Sequence, residues 1–268
     1  MSAVEVEKLE PGITLVTLNR PERLNAINGD LIAGVYSALA GVRADPECRV
    51  VILTGAGRGF CAGADLKAGT PEMPGSGTQS ELGKLWDAQE YLTGMASAIN
   101  SLRQPVIAAV NGVAVGGGLG LALASDLRVA SDQASFGAKF IKIGLSNLDV
   151  GVSYFLPRIV GAGRALELML TAKIIGAAEA ERIGLVNRVV PHDDLIPAAL
   201  EMAREIASNS AWGVWMTKEG VWTNIDAPSL HHAVMLEYRT QATGAFASDM
   251  KEAIEAFNQK RPPRWSPL

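Results

Sequence analysis

An α/β fold with a helical C-terminal part is predicted by three features of this sequence. Short β-branched runs at 49–54 and 106–110 end in Gly55 and Asn111-Gly112, as strands buried on both faces do. Helical periodicity fills the intervals between such runs, so strand, helix and strand follow in the rhythm of right-handed crossovers and parallel pairing. After about Leu195 the strand signals stop and the chain reads as helix almost to Phe257. The expected division is an α/β core over 1–195 and a helical region over 196–268, without a clear linker between them.

The elements follow in order. Val4-Glu5-Val6-Glu7 and Ile13-Thr14-Leu15-Val16-Thr17-Leu18 alternate with period two around Pro11-Gly12, which predicts an antiparallel pair. Asn28 is placed to cap a helix with the apolar stripe Leu31, Ile32, Val35, Leu39 and Val42, closing near Asp45-Pro46. Residues 66–80 are rich in Gly, Pro, Ser and Thr and read as a mobile surface loop before a helix from Glu81 to Leu102. Strands are expected at 106–110 and 127–130, with a helix starting inside Gly116-Gly117-Gly118. Further helices are expected at 151–160, 230–246 and 250–257.

Composition removes several function classes. With 268 residues, 48% hydrophobic and 19% charged, the chain can bury a large core without disulfides. Its net charge of −4 and lack of a basic run argue against nucleic acid as a partner. Cys48 and Cys61 form neither a disulfide framework nor a metal motif, and no metal is expected. The uncharged stretch between Arg103 and Asp126 is long enough for a membrane span, but Pro105, Asn111-Gly112 and the glycine triplet make it a buried strand and helix. With an acidic N-terminus that lacks a signal-peptide pattern, the protein is expected in the cytoplasm, with no membrane partner.

Familiar catalytic motifs are missing. Neither Gly55-Gly57-Gly59 nor Gly116-Gly117-Gly118 extends to G-x-G-x-x-G, and there is no G-x-x-x-x-G-K-[ST] or G-x-S-x-G. His192, His231 and His232 have no metal or triad spacing and read as solvated or capping residues. The glycine share, about 10% against a usual ~7%, is concentrated instead in two elbows. One is Thr54 to Leu66 and the other is Pro105 to Gly120. In each, a buried strand runs into glycines and small residues that let a ligand approach the backbone. The second also enters a helix, whose first N–H groups are free. Two such N–H groups side by side make an oxyanion hole, although close helix–strand packing alone also demands glycine.

Together the elbows resemble the crotonase family, the enoyl-CoA hydratase/isomerase superfamily. The resemblance covers nearly the whole chain and includes 19–26 (Asn-Arg-Pro-Glu-Arg-Leu-Asn-Ala), Phe136-Gly137, Ala177-Ala178-Glu179-Ala180 and Gly184-Leu185-Val186. It implies a spiral of βαβ turns with a C-terminal helical trimerisation region, forming homotrimers or dimers of trimers. It implies an acyl-CoA thioester ligand whose enolate is held by the N–H groups of Ala64 and Gly117. Coenzyme A enters as part of the substrate, and no separate cofactor is expected. By motif position CoA lies along Arg23, Leu24, Ala26, Ala62, Asp65 and Leu66, with Phe257 and Lys260 contributed commonly by a neighbouring subunit.

The resemblance also implies two glutamates for hydration, and neither is in its expected place. One position is Gly120 and the other is Phe140, and neither side chain moves a proton. Both are expected at the acyl pocket, with more room at Gly120 and a more apolar wall at Phe140, suiting a long or bulky chain. The replacement candidate is Asp149, near where dienoyl-CoA isomerase-like relatives carry an acid. A buried carboxyl there would have a raised pKa, whereas the simpler role is to cap the next helix. Glu81, Asp87 and Glu90 are read as the solvent side of their helix. The expected activity is of hydratase/isomerase type in acyl-CoA metabolism, with proton shuttling by Asp149 favoured over ordinary hydration. The alternative is a catalytically silent acyl-CoA-binding protein.

Overall fold

The structure, a computed structural model, describes residues 2–77 and 80–266. Thr78 and Gln79, inside the expected 66–80 loop, lie outside the described residues. Ten strands and ten α-helices follow among those described. The N-terminal half contains β1 (Val4–Glu10), β2 (Ile13–Leu18), α1 (Gly29–Ala44), β3 (Val50–Gly55), β4 (Gly59–Cys61) and α2 (Glu81–Asn100). The middle contains β5 (Val106–Val110), β6 (Val113–Val115), α3 (Gly117–Ala124), β7 (Leu127–Ser131), β8 (Ser135–Gly137), α4 (Val152–Val160) and α5 (Ala162–Thr171). Next come β9 (Ile175–Gly176), α6 (Ala177–Arg182), β10 (Arg188–Val190) and four helices: α7 (Leu195–Ala207), α8 (Ala211–Asn224), α9 (Leu230–Gly244) and α10 (Ser248–Gln259).

Two sheets carry the spiral. The larger has the order β1-β2-β3-β5-β7-β10, parallel throughout except for the β1–β2 hairpin. The smaller, β4-β6-β8-β9, is built of two- and three-residue strands and is parallel except at β8–β9. The main-sheet strands β3 and β5 each continue, after a glycine-containing bend, into a short strand of the second sheet. That bend is where β3 passes to β4 and β5 to β6, and it brings both glycine elbows to the same end of the core.

The hairpin and α1 form as the sequence pattern predicts, and Asn28 caps α1 by accepting the Leu31 N–H at 3.0 Å. One core lies between the sheets and α1 to α6. A second covers the other face of the main sheet, where Leu195, Ala198, Ala199 and Ala203 of α7 pack on Ile13, Val50, Ile52, Ile107, Ala109 and Val129. Thus α7, within the helical region expected from 196 onward, closes the sheet. Next, α8 is tied down by Lys218, which pairs with Asp126 at 2.7 Å, while Asp126 also accepts the Val106 N–H at 2.8 Å. By contrast, α9 has no buried residue. No helix among the described residues is long and apolar enough to cross a membrane. The uncharged 103–126 stretch is β5, β6 and the fully buried α3.

Candidate active site

The site is organised by the approach of two backbones. Gly63 has a φ of +86°, and a Cβ there would sit 2.9 Å from the Val115 carbonyl oxygen and 3.5 Å from the Gly117 nitrogen. Only glycine lets the first elbow lie this close to the start of α3. On the Ile27 side of this segment, Ile27 N–H donates to the Gly63 carbonyl at 2.7 Å and Asp65 N–H donates to the Ile27 carbonyl at 2.9 Å. Ladder geometry then turns the intervening Ala64 N–H away from Ile27. Gly117 is the first residue of α3, where a helical N–H has no intrahelical partner. Among the described residues no acceptor meets either the Ala64 or the Gly117 N–H. Gly118 has a different reason for its identity, since a Cβ there would meet the Cys61 carbonyl oxygen at 2.0 Å. Gly117 is closely packed as well, since a Cβ there would come 2.8 Å from Ile27 Cδ1.

A buried polar scaffold holds the first elbow in place. Asn25 is fully buried at φ +56°, a backbone region that asparagine tolerates. Its side chain accepts the Arg20 N–H at 2.8 Å and donates to the carbonyls of Ala56 at 3.0 Å and Gly59 at 2.7 Å. Arg20 donates to the Ala26 carbonyl and pairs with Asp65 at 3.0 Å. The Arg20 guanidinium holds the Asp65 carboxyl below the usual carboxylate range. Asn25→Ala removes the acceptor of the Arg20 N–H and leaves a poorly tolerated left-handed backbone. We expect a loss of about 3 kcal/mol of unfolding free energy, measured by urea denaturation.

Of the expected CoA set, one part is assembled and the other is not. The Ala62 N–H donates to the Leu24 carbonyl at 2.9 Å, so Arg23, Leu24 and Ala26 lie beside Ala62, Asp65 and Leu66. Arg23 and Leu66 are exposed, whereas Asp65 is engaged by Arg20 and by the Lys67 N–H. Phe257 and Lys260 are exposed at the end of α10. That helix is anchored elsewhere, through Asp249 to Ser210 and through Glu252 to Arg261. Among the described residues no hydrogen bond or ion pair joins Phe257 or Lys260 to the 23–26 and 62–66 segments.

The two positions where a hydratase glutamate was expected take different surroundings. The Phe140 ring is buried and lies 3.7 Å from where a Gly116 Cβ would be, so it walls the helix start with carbon. The expected extra room at Gly120 is absent. A Cβ there would be 2.4 Å from the Val150 carbonyl oxygen and 2.7 Å from its Cβ, because Val150 fills that space. Val150 has a φ of +42°, a strained value for a β-branched residue. Its Cγ2 also comes within 3.6 Å of the Cβ position of Gly117.

Asp149 precedes Val150 and is brought to this corner with it. The N-cap of α4 is Gly151, not Asp149, so the capping role does not hold. Instead Asp149 Oδ1 accepts two hydrogen bonds, from the Val150 N–H at 2.8 Å and from Gln89 Nε2 of α2 at 2.5 Å. Burial pushes the Asp149 carboxyl up, opposed by these two donors. Gln89 was not singled out in the sequence, since one amide on the polar side of a helix carries no signal of its partner. The other candidates of α2 face elsewhere. Glu81 and Asp87 line a cavity of about 350 Å³ with Thr70, Pro71, Glu72, Met73 and Ser76, and Glu90 is exposed. His192 bonds Ser131 at 3.0 Å, and His232 lies in the Ser229 cap of α9. No cluster of His, Cys, Asp and Glu fit to hold a metal occurs among the described residues.

Two strand-to-glycine elbows meeting at one corner of a βαβ spiral define the class of protein. The sequence pattern of the enoyl-CoA hydratase/isomerase family matches residues 8–267, and the chain belongs to that family. A probable enoyl-CoA hydratase of Mycobacterium tuberculosis is 43% identical over 264 residues, covering 98% of this chain and 92% of the relative. A probable enoyl-CoA hydratase/isomerase of Mycobacterium abscessus has a crystal structure 39% identical at TM-score 0.90, covering 98% of both chains. A monofunctional enoyl-CoA isomerase of M. smegmatis is 43% identical at TM-score 0.74, covering 87% of this chain and 99% of that one.

Proposed function

We propose that the protein isomerises the double bond of an enoyl-CoA, with Asp149 carrying the proton and the N–H groups of Ala64 and Gly117 holding the thioester oxygen. The observation that supports this reading is the seat of Val150 on both Gly117 and Gly120, which makes the half-buried Asp149 the sequence neighbour of a residue packed on the start of α3. In the step, ionised Asp149 takes a proton from C2 of a 3-enoyl thioester. The electron pair moves into the C2–C1 bond and the carbonyl becomes an enolate oxygen, stabilised by the two N–H groups. The same carboxyl then returns the proton to C4 as the double bond shifts to C2–C3. No atom is gained or lost, and no cofactor beyond the CoA ester itself is needed. Ordinary hydration is disfavoured because Gly120 and Phe140 carry no acid or base.

CoA would run along Arg23, Leu24, Ala26, Ala62, Asp65 and Leu66. Phe257 and Lys260 would complete that site from a neighbouring copy in a homotrimer or dimer of trimers. The unburied α9 and the 83% exposure of Phe257 support such packing. A cytoplasmic location fits a CoA-ester substrate. The decisive assay is turnover on a panel of 2-enoyl-, 3-enoyl- and dienoyl-CoAs. Conversion of 3-enoyl or dienoyl thioesters supports the reading, and hydration of 2-enoyl-CoA as the main activity contradicts it. Tight binding without turnover on the whole panel would leave the silent acyl-CoA-binding role.

A long acyl chain would suit the exposed apolar side chains of α2 and of Leu148. Leu82, Leu85 and Trp86 are exposed on the turns of α2 before Gln89, and Leu148 is 71% exposed beside Asp149. Each buried methylene contributes about 0.8 kcal/mol, so two more carbons tighten binding by up to roughly fifteenfold. Calorimetric titration should give a lower Kd for octanoyl-CoA than for crotonyl-CoA; the reverse order removes the long-chain reading.

A further inference from the structure

The two oxygens of Asp149 are not equivalent. Oδ1 takes both donors, the Val150 N–H at 2.8 Å and Gln89 Nε2 at 2.5 Å, and no bond ends on Oδ2 among the described residues. The Val150 bond is local and fixes only the near end of the carboxylate. Gln89 acts across the corner, from a helix sixty residues earlier in the chain. We propose that Gln89 is a positioning residue, which fixes Asp149 by Oδ1 and leaves Oδ2 as the oxygen that exchanges a proton with the acyl chain. This rests on the reading of Asp149 as the proton carrier.

A neutral amide suits the task. A lysine at the same place would form a salt bridge and make the carboxylate a weak base, whereas an amide orients it with a smaller loss of basicity. The other surrounding groups do not compete for Asp149. On α2, Asp87 accepts the Ser76 hydroxyl and Glu90 acts on Tyr36. On α3, Gly117 and Gly120 face Val150, and residues 117–124 include no titratable side chain. On α4, Tyr154 donates to Asp226 at 2.6 Å and the Phe155 ring packs on Gly151. The titration of Asp149 is moved by burial and by its two hydrogen bonds, with no charged partner among them.

The test uses the full-length protein with Gln89→Leu and Gln89→Lys. Gln89 is exposed, so neither change should prevent folding. The Asp149 carboxyl is titrated by carbon NMR on aspartate-labelled protein, its signal assigned by loss in Asp149→Asn. Turnover is measured on a 3-enoyl-CoA. A hydrogen bond to the ionised form lowers a carboxyl pKa, so losing it must raise the pKa. Gln89→Leu is expected to raise the Asp149 pKa by about one unit and lower kcat roughly tenfold, with KM within about twofold. The acid limb of the kcat profile should move to higher pH by the same amount. Gln89→Lys should move the titration the opposite way. An unmoved titration, or a moved titration with unchanged kcat, overturns the positioning role. Turnover that survives Asp149→Asn overturns the proton-carrier reading instead, and the titration alone then reports on the Gln89 bond.

Discussion

Asp149→Asn is expected to lower turnover of a 3-enoyl-CoA by roughly 10²–10⁴-fold, the range of a lost acid–base group, while acyl-CoA still binds. Asparagine keeps an Oδ1 for the Val150 and Gln89 donors, so the loop geometry is retained and only the proton chemistry goes. Stability should move the other way. Burial raises the Asp149 pKa above its ordinary value, and the two hydrogen bonds do not fully offset it. A carboxyl raised in the folded state favours folding while protonated, and that contribution is lost as pH rises through the native pKa. At neutral pH the ionised carboxylate therefore works against the fold. The asparagine variant should melt at the same temperature or higher at pH 7, with the difference shrinking towards acid pH. Scanning calorimetry at pH 7 and pH 5, beside the turnover assay, checks both halves. A variant that loses activity by unfolding would remove the inference from activity to mechanism.

Gly120→Glu, the change that would supply one hydratase glutamate, is expected to damage the protein rather than create hydration. Its Cβ would press on the Val150 carbonyl oxygen at 2.4 Å, and this neighbour is backbone, not the end of a flexible side chain. Relief requires moving a residue already strained at φ +42°. We expect a loss of about 3 kcal/mol, measured by urea denaturation, with no gain of 2-enoyl-CoA hydration. Adding Phe140→Glu should not rescue it, because a second charge would then replace a buried ring. A stable double variant that hydrates crotonyl-CoA would show that the corner repacks easily and that Val150 does not determine the reaction. Gly120 and Val150 therefore act as one device. The strained loop uses the space of a side chain at 120, and that same loop presents Asp149.

Much of this was legible in the sequence where the signal is local. The β1–β2 hairpin, the Asn28 cap, β3, β5 and the helix starting within the glycine triplet all follow from periodicity and turn residues. The second sheet was not, because strands such as Gly59–Cys61 and Ile175–Gly176 are too short for a period to develop. The two elbows could be found, but not which glycine serves packing and which serves approach. Gly118 against Cys61 and Gly63 against α3 are distinguished only by what each Cβ would meet. The expectation at Gly120 failed for the same reason. A missing side chain reads as space, and the residue that fills it lies thirty positions later. The Gln89–Asp149 bond spans sixty residues and involves an ordinary polar helix position, so nothing local announces it.

A crystal structure of the protein with a saturated acyl-CoA bound would show the thioester and the acid together. The thioester oxygen is expected between the N–H groups of Ala64 and Gly117, about 2.7–3.2 Å from each nitrogen. Oδ2 of Asp149 is expected to be the nearest carboxylate oxygen to C2 and C4, with Oδ1 still held by Gln89. A thioester oxygen away from both N–H groups, or a different carboxylate over C2, would contradict the proposed isomerisation.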